Sequence, residues 1–493
     1  MEQDPRMTAP RRIVVVGAGV AGLNAAAALA STGANVTLLD RRPYVGGRAY
    51  SYPHPALNEV VDSQHVLVGC CSNLIDFCAS AGITDKIRWY DRQTYLEPAT
   101  PTHPPRASSI APSPLPAPLN YAPSFLTLST LTLADKLAVA RGLAAFARGP
   151  KEPAPSPAAR DTESVALWYR RTRQTPRAIR HLWEPLILAT LNDSAENCSM
   201  KYAARIFYEI FLANSTGGRL GIPTIPLSDF YSAGAGLIRA NGGRIELRSS
   251  ISQLTQQPGH RWLLHTTSET PPLLADDVIL ALPFEQTQKL IATMQLHPAR
   301  EDPTQPDQPR ADLLAKMARF THSPFISILL WYDRQITTLD HAWLLDSTIQ
   351  WFFHKSRIRN YPPDHGSYVE LVIAGSRAEL ALTREQILTP ALAELARFFP
   401  EARNARLIKS AILKEARATF SVTPGLDASR PAQRTAWPGL YLAGDWTATD
   451  WPSTMEGAAR SGRLAAGELL GNPTQFLTPD LPPTGLSRLL AHP

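Results

Sequence analysis

Three glycines and one aspartate are the residues of this 493-residue chain whose spacing points most directly to chemistry. Gly17, Gly19 and Gly22 form G-x-G-x-x-G, and Asp40 follows roughly twenty residues later. The arrangement suits a pyrophosphate. Gly17 permits a tight turn, Gly19 lets the backbone approach the phosphates, and Gly22 lets a helix pack close to a strand. Asp40 can accept both ribose hydroxyls of an adenosine. The elements needed to position these residues stand on either side of them. Ile13–Val16 is a continuous β-branched run, as in a strand buried on both faces of a parallel sheet. The alanine-rich run Leu23–Ala30 reads as a helix whose N-terminus offers N–H groups and a positive dipole end to the phosphates. Asn35–Leu39 is a second apolar strand, and it ends on Asp40.

A further glycine turn, Gly46-Gly47-Arg48, comes a few residues after the ribose acid. A fixed cation at a second close backbone approach suits a diphosphate that continues into a flavin. A nicotinamide dinucleotide needs no such piece. Acid followed by G-G-R after the first strand–turn–helix resembles the FAD-dependent amine oxidase and phytoene desaturase superfamily, so FAD is the expected cofactor. The far end of the chain carries a matching signal. Residues 438–447 (PGLYLAGDWT) read as a short strand closing on Gly444-Asp445, followed by PSTMEGAARSG and an alanine-rich helix to Leu470. A helix starting near Ser453–Glu456 would aim its N–H groups at an electron-rich reduced flavin, with Asp445 at the ribityl or pyrophosphate end. The cofactor is therefore expected to span both ends of the chain.

The net charge is +6, but the arginines are scattered and no basic block is interleaved with aromatics, so nucleic acid is not an expected partner. The basic balance suits an anionic membrane surface better. Cys70, Cys71, Cys78 and Cys198 lack the paired spacing of a zinc site, and adjacent cysteines are poorly placed for a disulfide. They are expected as buried free thiols in a reducing compartment, with no metal. Arg11-Arg12 before an apolar run superficially resembles an export signal. Cleavage there would destroy the glycine turn, so the expected location is the cytoplasm, with peripheral contact at the inner face of its membrane left open. No uninterrupted apolar segment is long enough to span a bilayer.

The fold class read from these patterns is α/β: a discontinuous Rossmann-like domain with a parallel sheet, plus an α+β substrate domain carrying a helical cap. The nucleotide domain is assigned to 12–100, 223–300 and 421–472, the cap to 101–222, the substrate domain to 301–420 and a tail to 473–493. Residues 1–11 are polar and expected to be disordered, and 97–124, 150–158 and 300–312 are proline-containing breaks. Ser124–Arg148 carries leucines at helical spacing, as either an interfacial helix or a plain cap helix. Gly234-x-Gly236 follows no strand and is no second nucleotide turn, so reducing equivalents are expected from an external donor. Aromatics at Trp343, Trp351, Phe352 and Phe353 are either core or the floor of a hydrocarbon pocket.

Four segments narrow the resemblance: VDSQHVLVGC (61–70), WEPLILATLN (183–192), IPTIPLSDFY (222–231) and AGDWTATDWPSTMEGAARSG (443–462). Together they resemble the hydroxysqualene dehydroxylases, a squalene-associated branch of the phytoene desaturases in bacterial hopanoid synthesis. Asp62-Ser-Gln-His65 is one residue shorter than the branch's Asp-x-Gly-Gln-His turn, and the proline-rich insert near 100–122 is longer. The resemblance implies an FAD site at Gly17, Gly19, Ala21, Gly22, Asp40, Arg41, Gly46, Gly47, Arg48, Ile251, Gly444, Asp445, Thr454, Met455, Glu456 and Gly457. It implies a C30 isoprenoid substrate whose protonated allylic hydroxyl leaves as water, the delocalised cation then taking hydride from reduced flavin. One proton donor is required. His65 is the first candidate, with Asp62 as its orienting partner, and Glu456 is the second. Three other readings stay open: a carotenoid-type desaturase, a flavin amine oxidase, and a non-catalytic prenyl-lipid escort on the same fold.

Overall fold

A computed structural model describes residues 11–147, 161–267, 271–297 and 307–490. Its central element is a five-stranded parallel sheet ordered Arg244–Leu247, Asn35–Asp40, Arg12–Val16, Asp277–Leu280, Leu440–Leu442. Val15 lies between Leu38 and Ile279 in register and is fully buried. The β-branched run forms a central strand because both of its faces are covered: Ile13 and Val15 by the helices Val20–Ala30 and Met455–Leu469, and Val14 and Val16 by the antiparallel three-stranded sheet Ile251–Gln257, Arg261–Thr266, Leu273–Ala275. The three chain segments assigned to the nucleotide domain all contribute strands to this one sheet. The first helix, Val20–Ala30, packs backbone-to-backbone on the helix Met455–Leu469. A Cβ at Gly462 would lie 2.0 Å from the Ala21 carbonyl oxygen, so only glycine allows that approach.

The substrate domain is built on a seven-stranded sheet. Its order is Leu407–Phe420, His322–Tyr332, Ser367–Ala374, Trp351–Phe353, His341–Leu344, Gln93–Glu97, Arg106–Ile110. All neighbours are antiparallel except His341–Leu344 and Gln93–Glu97. One face, with Leu96, Leu344, Phe352 and Leu371, packs on the helix Arg384–Phe398. That helix starts at a Thr383–Gln386 capping box, which satisfies two of its otherwise unpaired N–H groups. The opposite face carries Tyr95, Trp343, Trp351, Phe353 and Val372 toward the cap and the cofactor domain. The cap is helical over Leu133–Ala147, Val165–Arg171, Glu184–Leu191 and Met200–Phe207, with π-helical turns at Ile179–Trp183 and Tyr208–Ala213. Trp168, Trp183 and Phe207 form its aromatic centre.

Several expectations need correction. The 97–124 break contains the strand Arg106–Ile110, a turn at Leu119–Tyr121 and a helix over Ala122–Thr127. The prolines flank that strand, which lies at the sheet edge where they are tolerated. Gln93–Glu97 likewise belongs to the substrate sheet, although it falls within the stretch assigned to the nucleotide domain. The described part of the Ser124–Arg148 stretch falls in two helices, Ala122–Thr127 and Leu133–Ala147. Thr132 and Asp135 bond reciprocally, with Thr132 N–H donating to Asp135 Oδ2 at 2.8 Å, and this pair starts the second helix. The described part of the third break is not a loop throughout: its residues 308–312 open the helix Gln308–Met317, capped by Asp307. The breaks at 150–158 and 300–306, and residues 1–10, lie outside the described residues.

Candidate active site

The two glycine turns form one cradle. Gly46 N–H donates to the Ala18 carbonyl at 2.8 Å, and Gly19 pairs with Gly46 as an isolated bridge. A Cβ at Gly22 would sit 1.8 Å from the Gly17 carbonyl oxygen. Gly47 has φ +63°, and a Cβ on it would lie 2.8 Å from Gly19 Cα. The helix at Val20 has no side-chain cap and no acidic residue in its first turn. A cradle that any side chain would fill, facing an uncapped helix N-terminus, fits the diphosphate of FAD. Asp40 accepts from Ala18 N–H at 2.7 Å and from Arg42 N–H at 2.8 Å. Its two oxygens have further lone pairs for a ribose, so the acid both ties the turn to the strand and can still hold the sugar. Ile251 opens a strand two residues after Ser249, whose N–H reaches the Asp40 carbonyl at 2.8 Å. Ala21 is buried in the first helix, whereas the Arg41 side chain is exposed.

Arg48 joins the ends of the chain. Its guanidinium contacts Asp445 Oδ1 at 2.5 Å and the Ala418 carbonyl at 3.0 Å. Ser453 donates to the other Asp445 oxygen at 2.6 Å. The loop that carries Asp445 is held from beneath by Arg430, which is buried and donates to Asp445 O, Thr447 O, Trp451 O and the Tyr202 hydroxyl. Gly444 N–H donates to Ser461 Oγ at 2.8 Å. Thr454 caps the following helix by accepting from Gly457 N–H at 3.0 Å, which places Met455 in its first turn.

Glu456, expected as a second acid candidate, has another task. It is fully buried and accepts from Asn73 N–H at 3.1 Å, Leu74 N–H at 2.8 Å and Arg460 Nε at 2.6 Å. It caps the helix Ser72–Ser80 from another segment of the same nucleotide domain and is paired with Arg460. Asp62 does not orient His65 by a hydrogen bond. The His65 ring is partly buried, and its Nδ1 lies 2.9 Å from the Ser63 carbonyl. Burial pushes the imidazole below its usual range, against the opposing pull of that carbonyl and of Asp62. Asp62 instead belongs to a buried ionic quartet with Lys355, Glu370 and Arg359. Lys355 Nζ is 2.5 Å from Asp62 Oδ1 and 2.8 Å from Glu370 Oε2. Arg359 Nη2 grips both Asp62 oxygens at 2.7 and 2.8 Å. Glu370 also accepts from Ser327 Oγ at 2.5 Å and from Gln64 N–H at 2.8 Å. Burial alone would raise the Asp62 carboxyl, yet Arg359 and Lys355 hold it well below the carboxylate range. Burial would lower Lys355, and Asp62 and Glu370 more than reverse this.

The quartet pins the 62–65 turn onto the seven-stranded sheet. Val66, next to His65, packs with Phe325, Trp351, Phe353 and Val372. Trp343 stacks on Tyr95 at 5.8 Å and meets Trp351 edge-on at 4.3 Å. His65 therefore stands beside an apolar, aromatic sheet face whose nearby carboxylates are both neutralised. Lys355, Arg359 and Glu370 escaped sequence reading because nothing local distinguishes them from surface charges. The polar interruption of an apolar run at Asp62 was the one available hint, since a buried carboxylate must find a cation.

Comparison with known proteins agrees with this geometry. The family model for flavin containing amine oxidoreductases matches residues 20–470. The 15-cis-phytoene desaturase of Solanum lycopersicum is 25% identical over 482 residues, covering 94% of this chain and 78% of that protein. A probable zeta-carotene desaturase of Synechococcus elongatus is 26% identical over 498 residues, covering 93% and 98%. Among solved structures, an oxidoreductase from Methanosarcina mazei matches with a TM-score of 0.69 at 18% identity, covering 94% of this chain and 100% of the other. Cyclohexylamine oxidase from Brevibacterium oxydans matches with a TM-score of 0.65 at 17% identity, over 94% and 99%. The chain belongs to the flavin containing amine oxidoreductase family and is an FAD-dependent oxidoreductase.

Proposed function

We propose that this oxidoreductase removes the allylic hydroxyl of hydroxysqualene to give squalene. The observation that carries the reading is the sheet face beside His65, where Asp62 and Glu370 are both neutralised by Lys355 and Arg359. An ammonium substrate calls for a carboxylate free to balance its charge, and both carboxylates here are already paired. A long hydrocarbon calls for a dry apolar floor, which Trp343, Trp351, Phe353 and Val372 supply. The choice of a hydroxylated C30 isoprenoid rests on the four resembling segments at 61–70, 183–192, 222–231 and 443–462.

Reduced FAD, when bound, supplies the hydride. Gly46, Gly47, Arg48 and Asp445 are the residues that would hold it. His65, anchored at Nδ1 by Ser63, delivers a proton from Nε2 to the hydroxyl oxygen, and water departs as the C–O bond breaks. Burial, by making the imidazolium a stronger acid, favours that transfer. The aromatic face shields the allylic cation from water until it is reduced. An external donor must then re-reduce the cofactor.

A desaturase acting in the oxidising direction is the second reading, favoured by the 25–26% identity to phytoene and zeta-carotene desaturases. One anaerobic experiment separates them: the reduced enzyme is mixed with hydroxysqualene, reoxidation of the flavin absorbance is followed, and the product is extracted. Reoxidation with squalene formed supports the dehydroxylase. Bleaching of the oxidised enzyme by phoytene-type polyenes, with no response to hydroxysqualene, replaces it with the desaturase.

A further inference from the structure

Large aliphatic side chains are exposed in one region of the cap. Leu126 is 64% exposed, Leu133 71%, Leu137 61% and Leu489 76%, with Leu115, Leu119 and Leu486 each at 45%. These leucines come from three stretches of chain that the structure joins. Lys136 Nζ donates to the Leu126 carbonyl at 2.6 Å and so ties Ala122–Thr127 to Leu133–Ala147. Ser487 N–H donates to the Ala117 carbonyl at 3.2 Å, which seats the C-terminal helix Ser487–Leu490 on the 115–119 loop. That helix and Leu133–Ala147 both pack against the π-helical turn Tyr208–Ala213. Along Leu133–Ala147 the outward positions are Leu133, Ala134, Leu137, Ala140 and Arg141, while Asp135, Ala138, Val139 and Gly142 face inward. The helix thus turns an apolar stripe to the outside, the reverse of an ordinary cap helix.

The exposed charges carried by these stretches of chain are of one sign. Between 111 and 147 the only charged residues are Asp135, Lys136 and Arg141, and Asp135 is buried against Thr132 and Thr175. Between 481 and 490 the only one is Arg488, which is exposed. Exposed leucines on stretches whose own exposed charges, Lys136, Arg141 and Arg488, are all basic complement an anionic bilayer surface: the side chains enter the acyl boundary and the cations meet phosphate. A protein partner would more commonly present aromatic anchors and mixed charge. No helix among the described residues is long and apolar enough to cross a membrane, so the complementarity is to the surface of one leaflet.

We infer that the leucine face built by 115–137 and 486–489 docks this enzyme on anionic lipid bilayers. The inference rests on exposure and charge at that face, and it holds whether or not hydroxysqualene is the substrate. Purified holoenzyme is sedimented with vesicles of pure phosphatidylcholine and with vesicles containing phosphatidylglycerol, at low and high salt. Binding to the anionic vesicles that weakens with salt is expected. In the variant Leu133→Asp/Leu137→Asp/Leu489→Asp, binding falls by about tenfold for each leucine replaced, while flavin content stays unchanged. Because these side chains are already in water, the variant keeps its fold, and its flavin absorbance reports that. Failure of the holoenzyme to bind either vesicle, or equal binding by the variant, overturns the inference. A leucine-dependent dimer in solution that occludes the face would overturn it as well.

Discussion

Removing Lys355 tests the buried quartet most sharply. Lys355→Met keeps the volume and leaves Asp62 and Glu370 buried with Arg359 as their only cation. The native arrangement of two acids and two bases becomes one with an unpaired negative charge. Lys355 and Glu370 are both wholly inaccessible to solvent, so water cannot compensate. Breaking such a pair costs about 3–5 kcal/mol, far above the value of an exposed ion pair. The variant should unfold in urea at a clearly lower midpoint, followed by far-UV circular dichroism and by release of flavin fluorescence. The loss should also depend on pH. An unpaired buried carboxylate takes up a proton more readily folded than unfolded, so the defect is largest at pH 8 and narrows as the pH falls toward 5. The double variant Lys355→Met/Glu370→Gln is again neutral, with Asp62 facing Arg359, and should recover about half of the loss. A single variant within about 1 kcal/mol of the parent, or a double variant no better than the single, would refute the reasoning.

Three further substitutions read other parts of the site. Gly47→Ala places a methyl against Gly19 Cα, and titration of the apoprotein should show FAD affinity reduced by at least about tenfold. Glu456→Gln weakens the cap on Ser72–Ser80 and its Arg460 pair; stability should fall by about 1–3 kcal/mol while turnover per bound flavin is kept, and a hundredfold loss of turnover would restore Glu456 as an acid. His65→Gln should retain flavin and lose turnover by at least about a hundredfold. In the parent enzyme, reductive turnover should rise as the pH falls below the ordinary imidazole range, because burial holds the His65 pKa down; a flat profile, or an active His65→Gln enzyme, removes His65 from the chemistry.

The parts of this site that were legible in the sequence are those whose geometry is set over a few residues. Gly17–Gly22, Asp40, Gly46–Arg48 and Thr454 act through turns, a strand end and a helix cap, and each leaves a local pattern. Ionic partnerships across the fold leave none. Asp62 finds Lys355 and Arg359 about 300 residues later because its turn is stacked on the short helix Lys355–Ile358, and no spacing rule encodes that. Glu456 read as chemistry for the same reason: a carboxylate in a cofactor motif shows its type in sequence, but not the helix N-terminus that it caps. Arg106–Ile110 was hidden by the prolines around it, since only a long-range partner reveals an edge strand in proline-rich sequence.

The clasp between Arg48 and Asp445 joins residues 397 positions apart, and the parallel sheet is not finished until Leu440–Leu442 takes its place. On the ribosome, at about 5–20 residues per second, the opening strand waits on the order of tens of seconds for its neighbour from 277–280, which in turn waits for its own neighbour from 440–442. During that wait a β-branched edge is exposed, so the nascent chain depends on protection from aggregation more than a chain whose sheet closes locally. The same wiring makes the flavin a marker of complete synthesis. A chain that stops before Asp445 has the first cradle and no clasp, and should emerge colourless and short-lived, whereas one that has passed it can be retained by its cofactor.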